Sequence, residues 1–311
     1  MLQILFPMFL LLGGGVLWRL FSPMGVDADT LRRALTALVF ILLLPALVLE
    51  VLWTAPLSLD SLRIMLAATS GILLSAAVAY WVFRGLGVPS RIRGALILAS
   101  AWANVTYLGL PVVEALYGPW ARSVALQYDL FSTTPLLLTL GVWIATRHGD
   151  ASDEPAWKAL LGVPALWAAI IAIGLNLGAV PQPDWLSALL ELLGRSVPPL
   201  MLIALGLGLR LDVLRLDRLP LVLPVIGIQL FLMPVIVGLA GFGVGLEGQI
   251  LSVMTLEAAM PSMLLGMVLC DRYGLDTSLF AAAVSLSTGL SLLTLPLWHA
   301  WAETGVLIGF F

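Results

Sequence analysis

Runs of about twenty apolar residues, the length that carries a helix across a bilayer, recur along the chain, separated by short clusters of charge, Gly and Pro. Ten such stretches fall at 2–20, 31–53, 61–83, 94–117, 122–146, 158–179, 186–209, 219–242, 248–270 and 277–301. Apolar runs of this length predict membrane-spanning helices. The pattern therefore predicts an all-α membrane protein with ten transmembrane helices. The first stretch runs from Met1 with no basic leader and no small-residue cleavage site before Arg19, so it is expected to be a retained helix and not a signal peptide.

Composition agrees and narrows the function. Of 311 residues, 61% are hydrophobic and only 11% charged, against roughly a quarter charged in a soluble domain. Mean hydropathy is +1.07. Ten spans leave only connectors, so the chemistry must sit inside the bilayer. A net charge of −3 offers no basic surface of the kind nucleic-acid binding needs. One cysteine, Cys270, excludes an intrachain disulfide, and two histidines, His148 and His299, are too few and too far apart in sequence to suggest a zinc site. No cofactor is expected.

Charge sets the orientation. Arg19, Arg32, Arg33, Arg84, Arg91, Arg93, Arg147, Lys158, Arg210, Arg215, Arg218 and Arg272 fall on the odd-to-even connections, leaving Arg63, Arg122 and Arg195 opposite. The basic side is cytoplasmic, which puts both termini outside. Tryptophans such as Trp18, Trp53, Trp81, Trp120, Trp143 and Trp185 lie near span ends, as an aromatic belt requires.

The most polar connector, Arg147–Pro155, divides the chain into 1–147, a linker at 148–157, and 158–311. A shift of 155 residues superposes Ser132-Thr133 on Ser287-Thr288, Leu137–Leu140 on Leu292–Leu295 and Trp143 on Trp298, seven identities in twelve positions. Prolines repeat as well: Pro45 faces Pro198 or Pro199, and Pro111 faces Pro261. With five spans in each half, the second enters the membrane upside down, which is the inverted-repeat plan of secondary transporters.

Two spans are expected to break near their centres, the fourth over Asn104–Pro111 and the ninth over Glu257–Ser262. Proline removes a backbone donor and frees carbonyls, and at membrane depth these must be satisfied by protein, water or a bound ion. Asn104, Ser132, Glu257 and Ser287 each lie nine or ten residues into their spans, about 15 Å deep at ~1.5 Å per residue. A carboxylate, an amide oxygen, hydroxyls and carbonyls at one level suit a hard cation. A Na⁺ ion held by Glu257, Asn104, a carbonyl of Val105 or Ala258, and a hydroxyl of Ser132 or Thr133 is the expected ion site, with a proton on Glu257 as the alternative. The surrounding Thr106, Pro111, Asp129, Met260, Pro261, Ser262, Ser287 and Thr288 are the expected substrate contacts. Glu50 and Glu114 are assigned to interfacial water, and Glu191 with Arg195 to a helix-surface pair.

These residues resemble the auxin efflux carrier family. The match rests on Asn104 with Leu108-Gly109-Leu110-Pro111 and Tyr117-Gly118, on Ala258-Ala259-Met260-Pro261 and Tyr273-Gly274, on Ser287–Trp298, and on Pro45-Ala46-Leu47. That family is similar in fold to the sodium–bile acid symporters. The resemblance implies a panel domain and a core domain, with the fourth and ninth spans crossing at their breaks. Asn104-Val105 and Glu257, three residues before Met260, look like symporter strings and by that resemblance would be sodium ligands. The sequence departs at Pro261, where the symporters carry a glutamine ligand. The long cytoplasmic loop of the plant carriers is replaced by the short Arg147–Pro155 connector, which points to a bacterial-type member of the inner membrane.

The expected function is secondary transport of a small organic anion, a carboxylate, by an elevator-like or rocking motion. Its partners are that anion and the lipid bilayer, with no nucleic acid, and a homodimer is compatible with the pattern. A channel lined by the crossed breaks is the competing class. An intramembrane aspartyl protease is disfavoured, because Tyr128-Asp129 and Pro45-Ala46-Leu47 stand in the wrong order and no Gly-x-Gly-Asp lies in a span.

Overall fold

The computed structural model describes residues 2–150, 161–210 and 218–303. The linker positions 151–157, Lys158 and Arg215 lie outside the described residues. Within them the chain is helical. Six helices are long and apolar enough to cross a membrane: α2 (Ala28–Thr54), α3 (Leu59–Gly85), α6 (Ala121–His148), α8 (Asp184–Gly208), α9 (Leu219–Gly243) and α12 (Thr277–Glu303). Shorter helices are α1 (Leu2–Phe21), α4 (Ser90–Ala101), α5 (Val105–Tyr117), α7 (Pro164–Leu177), α10 (Gly248–Ala258) and α11 (Gly266–Arg272). The stretches expected at 94–117 and 248–270 are thus each divided into two helices. Leu10, Ile41, Leu74, Ile170, Leu223 and Leu293 are all exposed, an apolar exterior suited to acyl chains and not to water.

Prolines write a local irregularity into these helices. Five π turns occur among the described residues, at Val39–Leu43, Val105–Gly109, Asp129–Thr133, Leu137–Gly141 and Ile228–Leu232. Four of them end two residues before a proline: Pro45, Pro111, Pro135 and Pro234. A proline cannot donate to the carbonyl four residues back, and widening the preceding turn to i→i+5 spacing accommodates the missing bond. This corrects the position expected for the first break. Pro111 lies inside continuous helix, near the start of the segment Leu110–Tyr117, and the chain is interrupted earlier, at Trp102–Asn104.

Two compact units interleave along the sequence. The first comprises Met1–Ser58, Thr106–Leu126 and Lys158–Leu209. Within it α1 and the second half of α8 approach backbone to backbone. A Cβ at Gly15 would strike the Ile203 carbonyl oxygen, and one at Gly206 the Leu12 carbonyl oxygen. Arg19 donates to the Leu207 carbonyl and pairs with Asp29. The Asn176 side-chain amide donates to the carbonyls of Leu52, Trp53 and Ala55, satisfying the open C-terminal end of α2.

Glu50 and Glu114, expected to face interfacial water, instead turn to Arg122, at 3.0 Å and 3.7 Å. The Arg122 and Glu50 side chains are only 15% and 13% exposed. One guanidinium is therefore shared by two carboxylates. Arg122→Gln would leave both acids facing each other at low dielectric, and a thermal melt in detergent is expected to show a loss of roughly 1–3 kcal/mol. Adding Glu50→Gln should recover part of that loss. The expected surface pair of Glu191 with Arg195 is present.

The second unit comprises Leu59–Val105, Gln127–Trp157 and Arg210–Phe311. Here α3 packs on the second half of α9, where Gly71 meets Val237 and Met233. Close approach is again set by glycine: Gly94 lies against His148, and Gly266 against the Phe280 ring. The residues at the two chain interruptions belong to this unit.

Candidate functional site

The two interrupted segments meet. Ala103 and Ser262 form an isolated antiparallel bridge, with Asn104 N donating to the Pro261 carbonyl at 2.8 Å and Met263 N to the Trp102 carbonyl at 2.8 Å. Two short extended pieces thus satisfy one another in place of the helical bonds that Pro261 interrupts. More groups are claimed around them. Ser262 Oγ donates to the Ala99 carbonyl at 2.6 Å, Ser262 N donates to Ser287 Oγ at 3.1 Å, and Trp102 Nε1 donates to the Thr133 carbonyl at 3.2 Å. Gln229 Nε2 reaches the carbonyls of Met260 at 3.0 Å and Ala258 at 3.5 Å. Backbone polarity at the crossing is largely settled by protein. The Ala258 carbonyl, an expected ion ligand, already has a donor in Gln229, and the Pro261 carbonyl has one in Asn104 N.

Several side-chain polar atoms remain without a partner. Glu257, in the last turn of α10, is fully buried, and neither carboxylate oxygen is hydrogen-bonded. Asn104 Nδ2, Gln229 Oε1, Thr288 Oγ1 and the Tyr128 hydroxyl are likewise buried and unpartnered. Asp129 and Tyr128, at the start of the π turn in α6, lie within electrostatic reach of Glu257. Asp129 also accepts from Thr134 Oγ1 at 2.9 Å. Two buried acids in one body repel each other when both are charged, so a cation or a shared proton is the natural complement. Among the described residues no group of three His, Cys, Asp or Glu side chains forms a metal centre. The unpartnered groups here are carboxylate, amide and hydroxyl.

The predicted residues separate into those gathered at the crossing and those engaged elsewhere. Asn104, Glu257, Ala258, Met260, Pro261, Ser262 and Ser287 are tied to the crossing directly or stand within three residues of its bonds. Thr133 joins them through its carbonyl, and its hydroxyl donates to the Tyr128 carbonyl. Val105 opens the π turn that follows the interruption. Ser132 is held by α3: its hydroxyl bonds Thr69 Oγ1 at 2.8 Å and the Met65 carbonyl at 2.9 Å. Thr106 and Pro111 fall in the first unit.

Gln229, Trp102 and Tyr128 are additions that sequence reasoning did not make. For Gln229 the signal existed, since it stands ten residues into the stretch 219–242, about 15 Å deep and level with Glu257. Gln229→Leu is expected to leave the Met260 carbonyl without a donor and to lower thermal stability by about 1–3 kcal/mol. Gln229→Glu, which cannot donate when ionised, should share that loss in part, and melts of both variants check it.

The chain is similar to known membrane transport proteins. The family model described as "Membrane transport protein" matches residues 2–154 and 146–299. An uncharacterized transporter of Methanothermobacter thermautotrophicus is 31% identical over 274 residues, covering 88% of this chain and 88% of that protein. An uncharacterized transporter of Methanocaldococcus jannaschii is 28% identical over 210 residues, covering 66% of this chain and 67% of its own length. The uncharacterized transporter YfdV of Escherichia coli is 24% identical over 211 residues, 66% of each chain.

Proposed function

The chain belongs to the auxin efflux carrier family of membrane transport proteins, and from that premise we propose that it is a secondary transporter moving a small organic anion, a carboxylate, coupled to a cation. It is an integral multi-pass membrane transporter and not an enzyme. The observation that carries the proposal is the fully buried Glu257 carboxylate, with neither oxygen hydrogen-bonded, beside two crossed chain interruptions. A bare carboxylate at that depth is costly unless a positive charge accompanies it. Sodium is the proposed partner, held by Glu257, Asn104 and neighbouring oxygens, because neutral oxygen donors at one level suit a hard cation. The anion would lie against the crossing, near Met260–Ser262 and Thr288.

A specific observation favours a second reading, coupling to protons. Asp129 lies within electrostatic reach of Glu257, and a pair of acids that share a proton needs no metal ion. Uptake of a radiolabelled carboxylate panel into proteoliposomes, with sodium and proton gradients set independently, separates the two. Sodium coupling gives accumulation that follows the sodium gradient at fixed pH. Accumulation that follows only the pH gradient selects the proton reading, and a response to neither makes the protein a uniporter. Conductance without saturation or counterflow would make it a channel.

The finer architecture is part of the same proposal: ten crossings, two inverted halves of five, and one compact unit carrying substrate by an elevator-like motion. Support comes from the two units, each of which draws segments from both sides of the 148–157 linker, and from the matched lengths of α4 and α10, 12 and 11 residues, before each interruption. The proposed setting is a bacterial inner membrane with both termini outside. Topology is tested by single cysteines, since the native Cys270 is buried. In inverted and right-side-out vesicles, a cysteine at Leu86 is expected to react only from the cytoplasmic side and one at Asp184 only from outside. The opposite pattern overturns the orientation.

A further inference from the structure

Away from the crossing, α3, α4 and α6 of the second unit enclose a cleft of about 680 Å³, a size typical of ligand sites. Its two ends differ in chemistry. Leu73, Ala76, Ala77 and Leu140 line one end with hydrocarbon. At the other end stand Tyr80, Ser90, Arg93, Arg147 and His148. From Leu73 to Tyr80 along α3 is seven residues, or about 10 Å, which separates the apolar end from the basic mouth. Trp81 and Trp143 also line the cleft and are 65% and 62% exposed, which places its entrance on the surface of the protein.

Among the described residues no carboxylate lines the cleft, and neither Arg93 nor Arg147 has an acidic partner. Arg93 donates one guanidinium N–H to the Val88 carbonyl at 3.1 Å, while its buried Nε has no acceptor. Both arginines lie within electrostatic reach of His148. Arg84, just beyond, donates to the Tyr80 hydroxyl at 3.1 Å and stacks over the Trp81 ring at 5.5 Å. By contrast Arg91, on the same turn of α4 as Arg93, is already paired with Asp150.

We propose that this cleft binds an anionic phospholipid of the leaflet on the basic side, with its phosphate between Arg93 and Arg147 and an acyl chain along Leu73, Ala77 and Leu140. A soluble anion would use the arginines but has no use for the hydrocarbon wall of Leu73, Ala77 and Leu140, and a zwitterionic lipid would leave the positive charge unanswered. Basic pockets between helices on the cytoplasmic side are the expected docking points for acidic headgroups. The inference does not depend on which ion or substrate the crossing takes.

The test uses the full chain in detergent, titrated with 1-palmitoyl-2-oleoyl phosphatidylglycerol, with phosphatidylcholine of the same chains, or with inorganic phosphate. Thermal shift and native mass spectrometry are the readouts. Phosphatidylglycerol is expected to raise the melting temperature and to stay bound in the spectrometer, and phosphatidylcholine to do neither. The double variant R93Q/R147Q should weaken that binding roughly thirtyfold, at about 1 kcal/mol for each basic residue removed. Arg33→Gln, on the same side but outside the cleft, should leave it unchanged. Ala77→Phe, which fills the apolar end without touching a charge, should also reduce binding and guards against a misfolded double variant. Equal binding of both lipids, an effect reproduced by inorganic phosphate alone, or full retention in both R93Q/R147Q and Ala77→Phe would each overturn the proposal.

Discussion

Glu257→Gln is expected to abolish the cation dependence of uptake and to lower gradient-driven accumulation at least tenfold, without destabilising the protein. Carboxylate and amide have nearly the same shape, so packing at the end of α10 is unchanged. The charge differs. In the wild type, two carboxylate oxygens are fully buried without a hydrogen bond, and taking an uncompensated charge out of water costs several kcal/mol. The amide escapes that cost, so the melting temperature of the Gln variant should hold or rise in the absence of sodium. It should also lose any stabilisation that added sodium gives the wild type, because a ligand stabilises only the state that binds it. Proteoliposome uptake and melts with and without sodium make the check. A variant that keeps gradient-driven accumulation but melts at a lower temperature would assign Glu257 a structural role. Asp129→Asn separates the coupling modes: under sodium coupling it should weaken the ion's hold, and under proton coupling it should shift the pH dependence of uptake.

The second large effect is expected from a single methyl group. At Gly206 a Cβ would collide with the Leu12 carbonyl oxygen and press on the Leu12 carbonyl carbon and Gly15 Cα. These are backbone atoms of another helix, which cannot turn aside as a flexible side chain can. Relief requires α1 and α8 to separate, and helices in a membrane associate through such small-residue contacts because lipid tails provide no hydrophobic drive between them. Gly206→Ala is therefore expected to destabilise the first unit by about 1–3 kcal/mol or more, seen as a lower melting temperature and loss of monodisperse protein in detergent. Gly15→Ala should behave alike, since its Cβ would strike the Ile203 carbonyl oxygen. Gly13→Ala, where a Cβ would meet nothing within 4 Å, is the control and should be neutral. Equal behaviour of Gly13 and Gly206 variants would show that the close approach is not what holds these helices.

The position of the first interruption shows how local and non-local information divide. Pro111 marks the fourth stretch as irregular, and the local consequence of a proline, a preceding turn without its i−4 bond, is present as the π turn Val105–Gly109. The same rule accounts for the turns before Pro45, Pro135 and Pro234. Yet the chain opens at Trp102–Asn104, because the donors and acceptors that make an opening tolerable there come from 155 or more residues away, from Pro261 and Met263. No window of sequence around Asn104 contains them.

By itself the sequence determined that this is a helical membrane protein with polar groups buried at mid-span, because apolar length, charge depletion and proline chemistry act within a few turns of helix. It also singled out Glu257 and Asn104, since a polar residue fifteen ångströms deep by ~1.5 Å per residue is conspicuous wherever the chain then folds. Only the tertiary structure decided their partners. Arg122 draws Glu50 out of water and reaches Glu114 as well, α3 takes Ser132, and Gln229 supplies the donor for the Met260 carbonyl. A buried polar group takes whichever complementary group packing brings within about 3 Å, and that choice depends on which helices meet, a property of the whole fold and not of any one span.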